Sequence, residues 1–92
     1  MAEITVMIYT TLRSRLGVSK LTLKGATVRD IIDRLCEHKA PETGKLILDS
    51  EGHVRQHFVL TLNSEILDNK KTLRVPVRDG DILHVFPPVS GG

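Results

Sequence analysis

One segment constrains the fold more than any other. Val28, Ile31, Ile32, Leu35 and Cys36 recur at helical spacing, while Arg29, Asp33, Arg34 and Glu37 fall on the opposite face. Thr27 is a good N-cap, and Asp30 three residues later supplies a capping-box-like acid. The spacing predicts a helix that ends near His38-Lys39, ahead of Pro41. A helix with one apolar stripe must bury that stripe against another element.

The flanking segments supply it. From Glu3 to Tyr9 the chain alternates, with Ile4, Val6 and Ile8 on one side and Thr5, Met7 and Tyr9 on the other. Gly17 marks a turn region, and Leu21 and Leu23 then alternate with Lys20, Thr22 and Lys24, predicting a hairpin of the first two strands. Gly25-Ala26 ends the second strand. Alternation returns from Phe58 to Leu62 and again from Ile82 to Phe86, where Leu83 and Val85 share one face and Ile82, His84 and Phe86 the other. Asp49-Ser50-Glu51-Gly52, Asn63-Ser64-Glu65 and Arg78-Asp79-Gly80-Asp81 read as turns. Pro76 makes Thr72 to Val77 a poor strand interior. Residues 40–57 are the least legible part, with only the short apolar run Leu46-Ile47-Leu48.

The order strand, strand, helix, strand, short elements, strand predicts an α+β fold. One main helix lies across one face of a mixed four- to five-stranded sheet. The expected core is Ile4, Val6, Ile8, Leu21, Leu23, Val28, Ile31, Ile32, Leu35, Phe58, Leu60, Leu62, Leu83 and Val85. Ninety-two residues suit a single domain, here expected over 1–86, with 87–92 as an extended tail.

Composition narrows the function. A formal charge of +2 with scattered Lys and Arg, and no aromatics interleaved among them, argues against nucleic acid. A single cysteine, Cys36, forbids an internal disulfide and a four-cysteine metal site, and favours a reducing compartment. No stretch approaches the roughly 20 apolar residues of a membrane helix. The N-terminus has no signal-peptide pattern, and the expected location is cytoplasmic.

The six residues Pro87-Pro88-Val89-Ser90-Gly91-Gly92 hold no side chain able to act as acid, base, nucleophile or metal ligand. What they offer is a terminal carboxylate on a slender tip. Glycine has no Cβ and fits a narrow channel. The prolines fix φ and remove donors, so a strand does not continue through them. Six residues near the polyproline rise span about 19 Å, enough to cross a partner's wall.

This layout and tail resemble the β-grasp, ubiquitin-like sulfur carriers of the MoaD/ThiS family, including the small subunit of molybdopterin synthase and the archaeal small modifier proteins. The matching residues are Asp79-Gly80-Asp81, a short strand, and Phe86-Pro87-Pro88-Val89-Ser90-Gly91-Gly92. Upstream matches are Gly52-His53-Val54-Arg55, Asn63 and Thr72-Leu73. One departure is Asn63-Ser64 where these proteins often have Asn-Gly, which suits a type I′ turn better.

The resemblance implies a β-grasp fold with a flexible diglycine tail and a carrier cycle. An E1-like activating enzyme of the MoeB/ThiF type would adenylate the Gly92 carboxylate with ATP. A sulfur donor protein would then convert it to a thiocarboxylate. A MoaE-like large subunit would receive the tail and pass the sulfur to the molybdopterin, or tungstopterin, precursor. The carrier itself would hold no bound cofactor or metal and would be a non-catalytic subunit of such a complex. Gly91 and Gly92 would be the working end. Tyr9, Ile66 and Phe86, with Pro87, Pro88, Val89 and Ser90, would meet the partners. Two alternatives share the tail chemistry: another sulfur acceptor (thiamine thiazole, cysteine or tRNA), and isopeptide conjugation to lysines.

The remaining polar candidates read as structural. His53 and His57 lack a third nearby ligand and read as solvent-exposed, and Cys36 sits on the apolar helix stripe as a core thiol. Asp79 and Asp81 read as turn residues. His84 reads as an interface residue or an exposed one. Arg13, Arg15, Lys70, Lys71, Arg74 and Arg78 suit either an acidic partner or plain solvation.

Overall fold

The computed structural model describes residues 1–38, 42–69 and 71–87. Five strands form one sheet in the order β2-β1-β5-β3-β4, with β1 Ala2–Ile8, β2 Lys20–Gly25, β3 Val59–Leu62, β4 Glu65–Ile66 and β5 Ile82–Phe86. β1 runs antiparallel to β2 and parallel to β5, and β3 is antiparallel to both β4 and β5. The helices are α1 Thr10–Leu16, α2 Val28–Glu37 and α3 Glu42–Ile47, followed by a 3₁₀ turn at Thr72–Arg74. The sheet is therefore mixed and the fold α+β, as expected.

The helix α2 forms where its periodicity places it. Thr27 Oγ1 accepts from the Asp30 amide, and the Asp30 carboxylate accepts from the Thr27 amide at 3.3 Å, closing the capping box. Val28, Ile31, Ile32 and Leu35 are fully buried in one cluster with Ile4, Val6, Ile8, Leu60, Leu83 and Val85. The period of 3.6 on α2 and the period of 2 on the strands converge on one interior. Gly25 makes the join possible, since a Cβ there would stand 2.5 Å from the Asp30 Cβ.

Several expectations need correcting. β1 and β2 do pair antiparallel, but α1 joins them, so they are not a tight hairpin. The signal for α1 is the i, i+4 pair Leu12 and Leu16, both buried, followed by Gly17 at φ 74 as a left-handed C-cap. Leu21, Leu23 and Leu62 are only partly buried and pack against the edge of the cluster. Leu12, Leu16, Ile47, Val54 and Val77 complete the core.

The segment after residue 41 contains α3. Its Thr43 is a buried polar residue whose hydroxyl donates to the His38 carbonyl at 2.5 Å. Gly44 lies mid-helix, and a Cβ there would meet Cys36 at ordinary contact distance, 3.8 Å. Gly44→Ala is expected to stabilise the domain by about 0.5–1 kcal/mol, because alanine loses less backbone entropy in a helix. A lowered urea midpoint would show that the contact with Cys36 is too tight.

The turn at Asn63-Ser64 resolves the departure from Asn-Gly. Among the described non-glycine residues only Thr10 and Asn63 have positive φ, at 49° and 57°. The left-handed conformation thus falls on Asn63, a residue that tolerates it, and not on Ser64. Asn63 also ties the turn to β5, its Oδ1 accepting from the Ile82 amide at 3.0 Å and its Nδ2 donating to Asp81 at 3.2 Å.

Two carboxylates couple the fold to pH. The backbone amides of Ala26 and Thr27 hold Asp30 below its ordinary value. The amides of His53 and Glu51 do the same for Asp49. A depressed folded pKa contributes stability above the unfolded pKa and loses it as pH falls through the folded one. The urea midpoint is therefore expected to fall below about pH 4. The Asp30→Asn, Asp49→Asn double variant should show a shallower fall, and an unchanged acid slope would count against both assignments.

Candidate functional site

The strand register assembles the outer face of the sheet, opposite the helices. Thr5 pairs with Ile82 and Met7 with His84; Thr61 pairs with both His84 and Ile66; Val59 pairs with Phe86. Directly paired residues point to the same side of a sheet. Met7, His84, Thr61 and Ile66 thus form one row across four strands, about 14 Å wide at the usual strand spacing. Val59 and Phe86 lie in the row nearest the chain's exit from β5.

Exposure singles out this face. Apart from Met1, every exposed large hydrophobic among the described residues lies here: Val59 at 43%, Ile66 at 77%, Ile82 at 38% and Phe86 at 37%. Apolar side chains left together on one face commonly mark an interaction surface.

Its centre is a stack of rings. Tyr9 lies on Phe86 with centroids 4.4 Å apart and planes 11° from parallel. His84 stands 5.8 Å from Tyr9 and 6.1 Å from Phe86. The Tyr9 hydroxyl is hydrogen-bonded to His84 Nδ1 at 2.8 Å. Tyr9 follows directly on β1 and caps α1, while Phe86 ends β5, so two adjacent parallel strands deliver the two rings side by side.

Of the expected partner-binding residues, Tyr9, Ile66 and Phe86 share this face, and half-buried Pro87 follows directly from it. Pro88, Val89, Ser90, Gly91 and Gly92, and with them the expected flexibility of the tail, lie outside the described residues. The alternation of β1 and β5 already turns Met7 and Ile82 toward this face, and Val59 joins them through its pairing with Phe86. The signal for Val59 is its position one residue before Leu60 in an alternating strand.

The turn beside β5 is built from carboxylates engaged with backbone. Asp79 Oδ1 accepts from the Glu3 amide at 2.7 Å, and Asp81 Oδ2 accepts from the Arg78 amide at 2.8 Å. Gly80 takes φ 88, a conformation glycine adopts freely. This turn fixes the start of β5 against β1, and hence the height at which Phe86 emerges.

Burial, with Asp33 nearby, pushes the Cys36 thiol up to about 11, so it is neutral at pH 7 and a poor nucleophile. His53 Nδ1 is 3.6 Å from Glu51 at the rim of an open cleft of about 550 Å³ that borders the outer face at Val59 and Ile66. Among the described residues no cluster of three His, Cys, Asp or Glu side chains could hold a metal. Among the described residues no helix is long and apolar enough to cross a membrane.

A family model of the ThiS family matches residues 6–92, nearly the whole chain. The chain belongs to the ThiS family. Small archaeal modifier protein 3 of Haloferax volcanii is 29% identical over 93 residues, covering 98% of this chain and 99% of that protein. The crystal structure of small archaeal modifier protein 1 from the same organism superposes with a TM-score of 0.85 at 26% identity, over 99% of this chain and 100% of that one. The Amycolatopsis orientalis BexX/CysO complex contains a chain 33% identical, with a TM-score of 0.79, over 97% of this chain and 99% of that one. In that structure a member of the fold is seen assembled with a partner protein. The family is one of ubiquitin-like β-grasp sulfur carriers and small modifiers.

Proposed function

We propose that this chain is a sulfur carrier whose working group is the Gly92 carboxylate. An E1-like activating enzyme adenylates that carboxylate with ATP, releasing pyrophosphate. A sulfur nucleophile supplied by a donor protein then displaces AMP and leaves a thiocarboxylate. The carboxylate is a poor acyl donor until AMP becomes its leaving group, so both steps belong to the partner enzymes. This chain contributes the tail and the face that delivers it.

The observation that carries the reading is that the family match runs through residue 92 and so includes the diglycine. The chain's own chemistry agrees with a passive role, since its one thiol is neutral and its turn carboxylates are engaged with backbone amides. We propose molybdopterin, or tungstopterin, synthesis as the destination of the sulfur, with a MoaE-like large subunit as recipient of the tail.

Intact mass tests the carrier reading. Incubated with the activating enzyme, ATP and a sulfur source, the chain is expected to gain the mass difference between sulfur and oxygen. Deletion of Gly92 should abolish that gain. No gain with the complete chain would sink the proposal. Capture of a MoaE-like subunit from the same genome would identify the acceptor.

The relatives named as archaeal modifiers favour a second reading, conjugation of Gly92 to lysines of other proteins. Ladders of lysine-linked adducts that vanish on deleting Gly92 would establish it. Activation of Gly92 is common to both readings.

A further inference from the structure

The strand β2 forms one edge of the sheet, and that edge is open. In its ladder with β1 the Ile8 amide donates to the Ser19 carbonyl at 2.9 Å. Together with the register, this makes Leu21, Leu23 and Gly25 the residues that exchange hydrogen bonds with β1. The amides and carbonyls of Lys20, Thr22 and Lys24 therefore point away from the sheet. The same alternation turns the Thr5 amide the other way, to the Asp81 carbonyl at 3.0 Å. Among the described residues these outward donors and acceptors of β2 have no hydrogen-bond partner.

The side chains along this edge differ between its two faces. Leu21 and Leu23 pair with Val6 and Ile4 and share their side of the sheet, yet both are only partly buried. Lys20, Thr22 and Lys24 are exposed on the opposite side, and β2 carries no acidic residue. Lys20 has no ion pair among the described residues. Lys24 Nζ stands 4.0 Å from Glu3 Oε2 with both side chains exposed, a contact of little energy.

We infer that the β2 edge is a strand-addition site for an extended segment of a partner protein in which acidic and apolar residues alternate. In this mode main-chain hydrogen bonds supply affinity and alternate side chains supply specificity. Apolar side chains of the added strand would complete the burial of Leu21 and Leu23. Its carboxylates would lie directly across from Lys20 and Lys24, where opposite charges stabilise a strand pair. A second copy of this chain fits poorly. Antiparallel pairing of β2 with itself, centred on Thr22, sets Lys20 against Lys24 on both sides of the centre, and like charges directly opposite repel. The edge lies on the far side of β1 from β5, so the added strand leaves Phe86 uncovered.

Titration of the full isotope-labelled chain with the peptide acetyl-Glu-Val-Thr-Val-Glu-amide tests the inference. Hydrogen exchange, read amide by amide, is expected to slow at Lys20, Thr22 and Lys24. It should stay unchanged at Leu21 and Leu23, whose amides already donate to β1. The basic counterpart, acetyl-Lys-Val-Thr-Val-Lys-amide, should bind ~10-fold more weakly at low salt. Lys20→Glu combined with Lys24→Glu should reverse that preference. Thr22→Pro removes the central donor of the edge without touching the β1 ladder, and is expected to weaken binding ~10-fold.

Absence of slowed exchange at these three amides with about 1 mM peptide would overturn the site. Equal affinity for the two peptides would overturn the acidic character of the partner. A parent chain that sediments as a dimer, with the three amides already protected, would overturn it too, because a second copy would then fill the edge. The exchange pattern and the charge-reversed variant decide the outcome whether or not Thr22→Pro folds.

Discussion

Phe86→Asp is expected to leave the isolated domain folded and to abolish its binding to the activating enzyme and to a MoaE-like subunit. Phe86 ends β5 and is more than a third exposed, so no sealed cavity opens when it is replaced. The variant loses the stack on Tyr9, worth about 0.5–1.5 kcal/mol beyond area burial. A domain of this size tolerates that loss, since typical stabilities are about 5–15 kcal/mol. At the docking face the effect is much larger. A carboxylate would be desolvated beside the stacked rings of Tyr9 and His84 when a partner covers them. A central aromatic anchor commonly dominates the energy of such a contact. Circular dichroism and a binding titration on one preparation decide the outcome. An unfolded variant would assign Phe86 to the core, and a folded variant that binds normally would remove this face from the docking model.

Gly25→Val is the second large effect, and it acts on stability. The β2 strand ends where α2 begins, and the two backbones approach so closely that a Cβ at residue 25 would lie 2.5 Å from the Asp30 Cβ and 3.1 Å from Ile31 Cδ1. Neither neighbour can retreat. Asp30 is held by the amides of Ala26 and Thr27, and Ile31 is fully buried. Valine would lever the first turn of α2 off the sheet, opening the capping box and loosening Ile31 together. A loss of about 3 kcal/mol is expected, at the upper end of overpacking penalties, read as a lowered urea midpoint. The same substitution should leave the outer face unaltered, because Gly25 lies on the far side of β1 from β5. A midpoint within error of the parent chain would mean that α2 shifts freely, contrary to its packing.

The legible parts of the fold are those where one local period is sufficient. Ile4, Val6 and Ile8 alternate cleanly because β1 is central and buried on one face only, and α2 announces itself through both its stripe and its capping box. α1 and α3 are seven and six residues long, too short for periodicity to declare itself, and each contains residues that oppose a helix: Thr10-Thr11 in one, Gly44 in the other. They are helical because Leu12, Leu16 and Ile47 are buried by the rest of the chain. Leu21, Leu23 and Leu62 look like core residues by pattern yet are only partly buried, since alternation tells which face a residue takes and not how completely that face is covered at its position.

The same division runs through the candidate site. From the residues alone come the apolar stripe and capping box of α2, the alternation of the strands, and the facing of Tyr9 and Phe86 away from the core. These are local properties, set by the periods of helix and strand. Only the tertiary structure brings Tyr9 and Phe86 to 4.4 Å, places Val59 and Ile66 on the same face, and joins the Tyr9 hydroxyl to His84. Those relations depend on strand order, in which β5 lies between β1 and β3 although β1 ends at Ile8 and β5 begins only at Ile82. Strand order is decided by how one helix and five strands share a single interior, and no local pattern of residues carries that information.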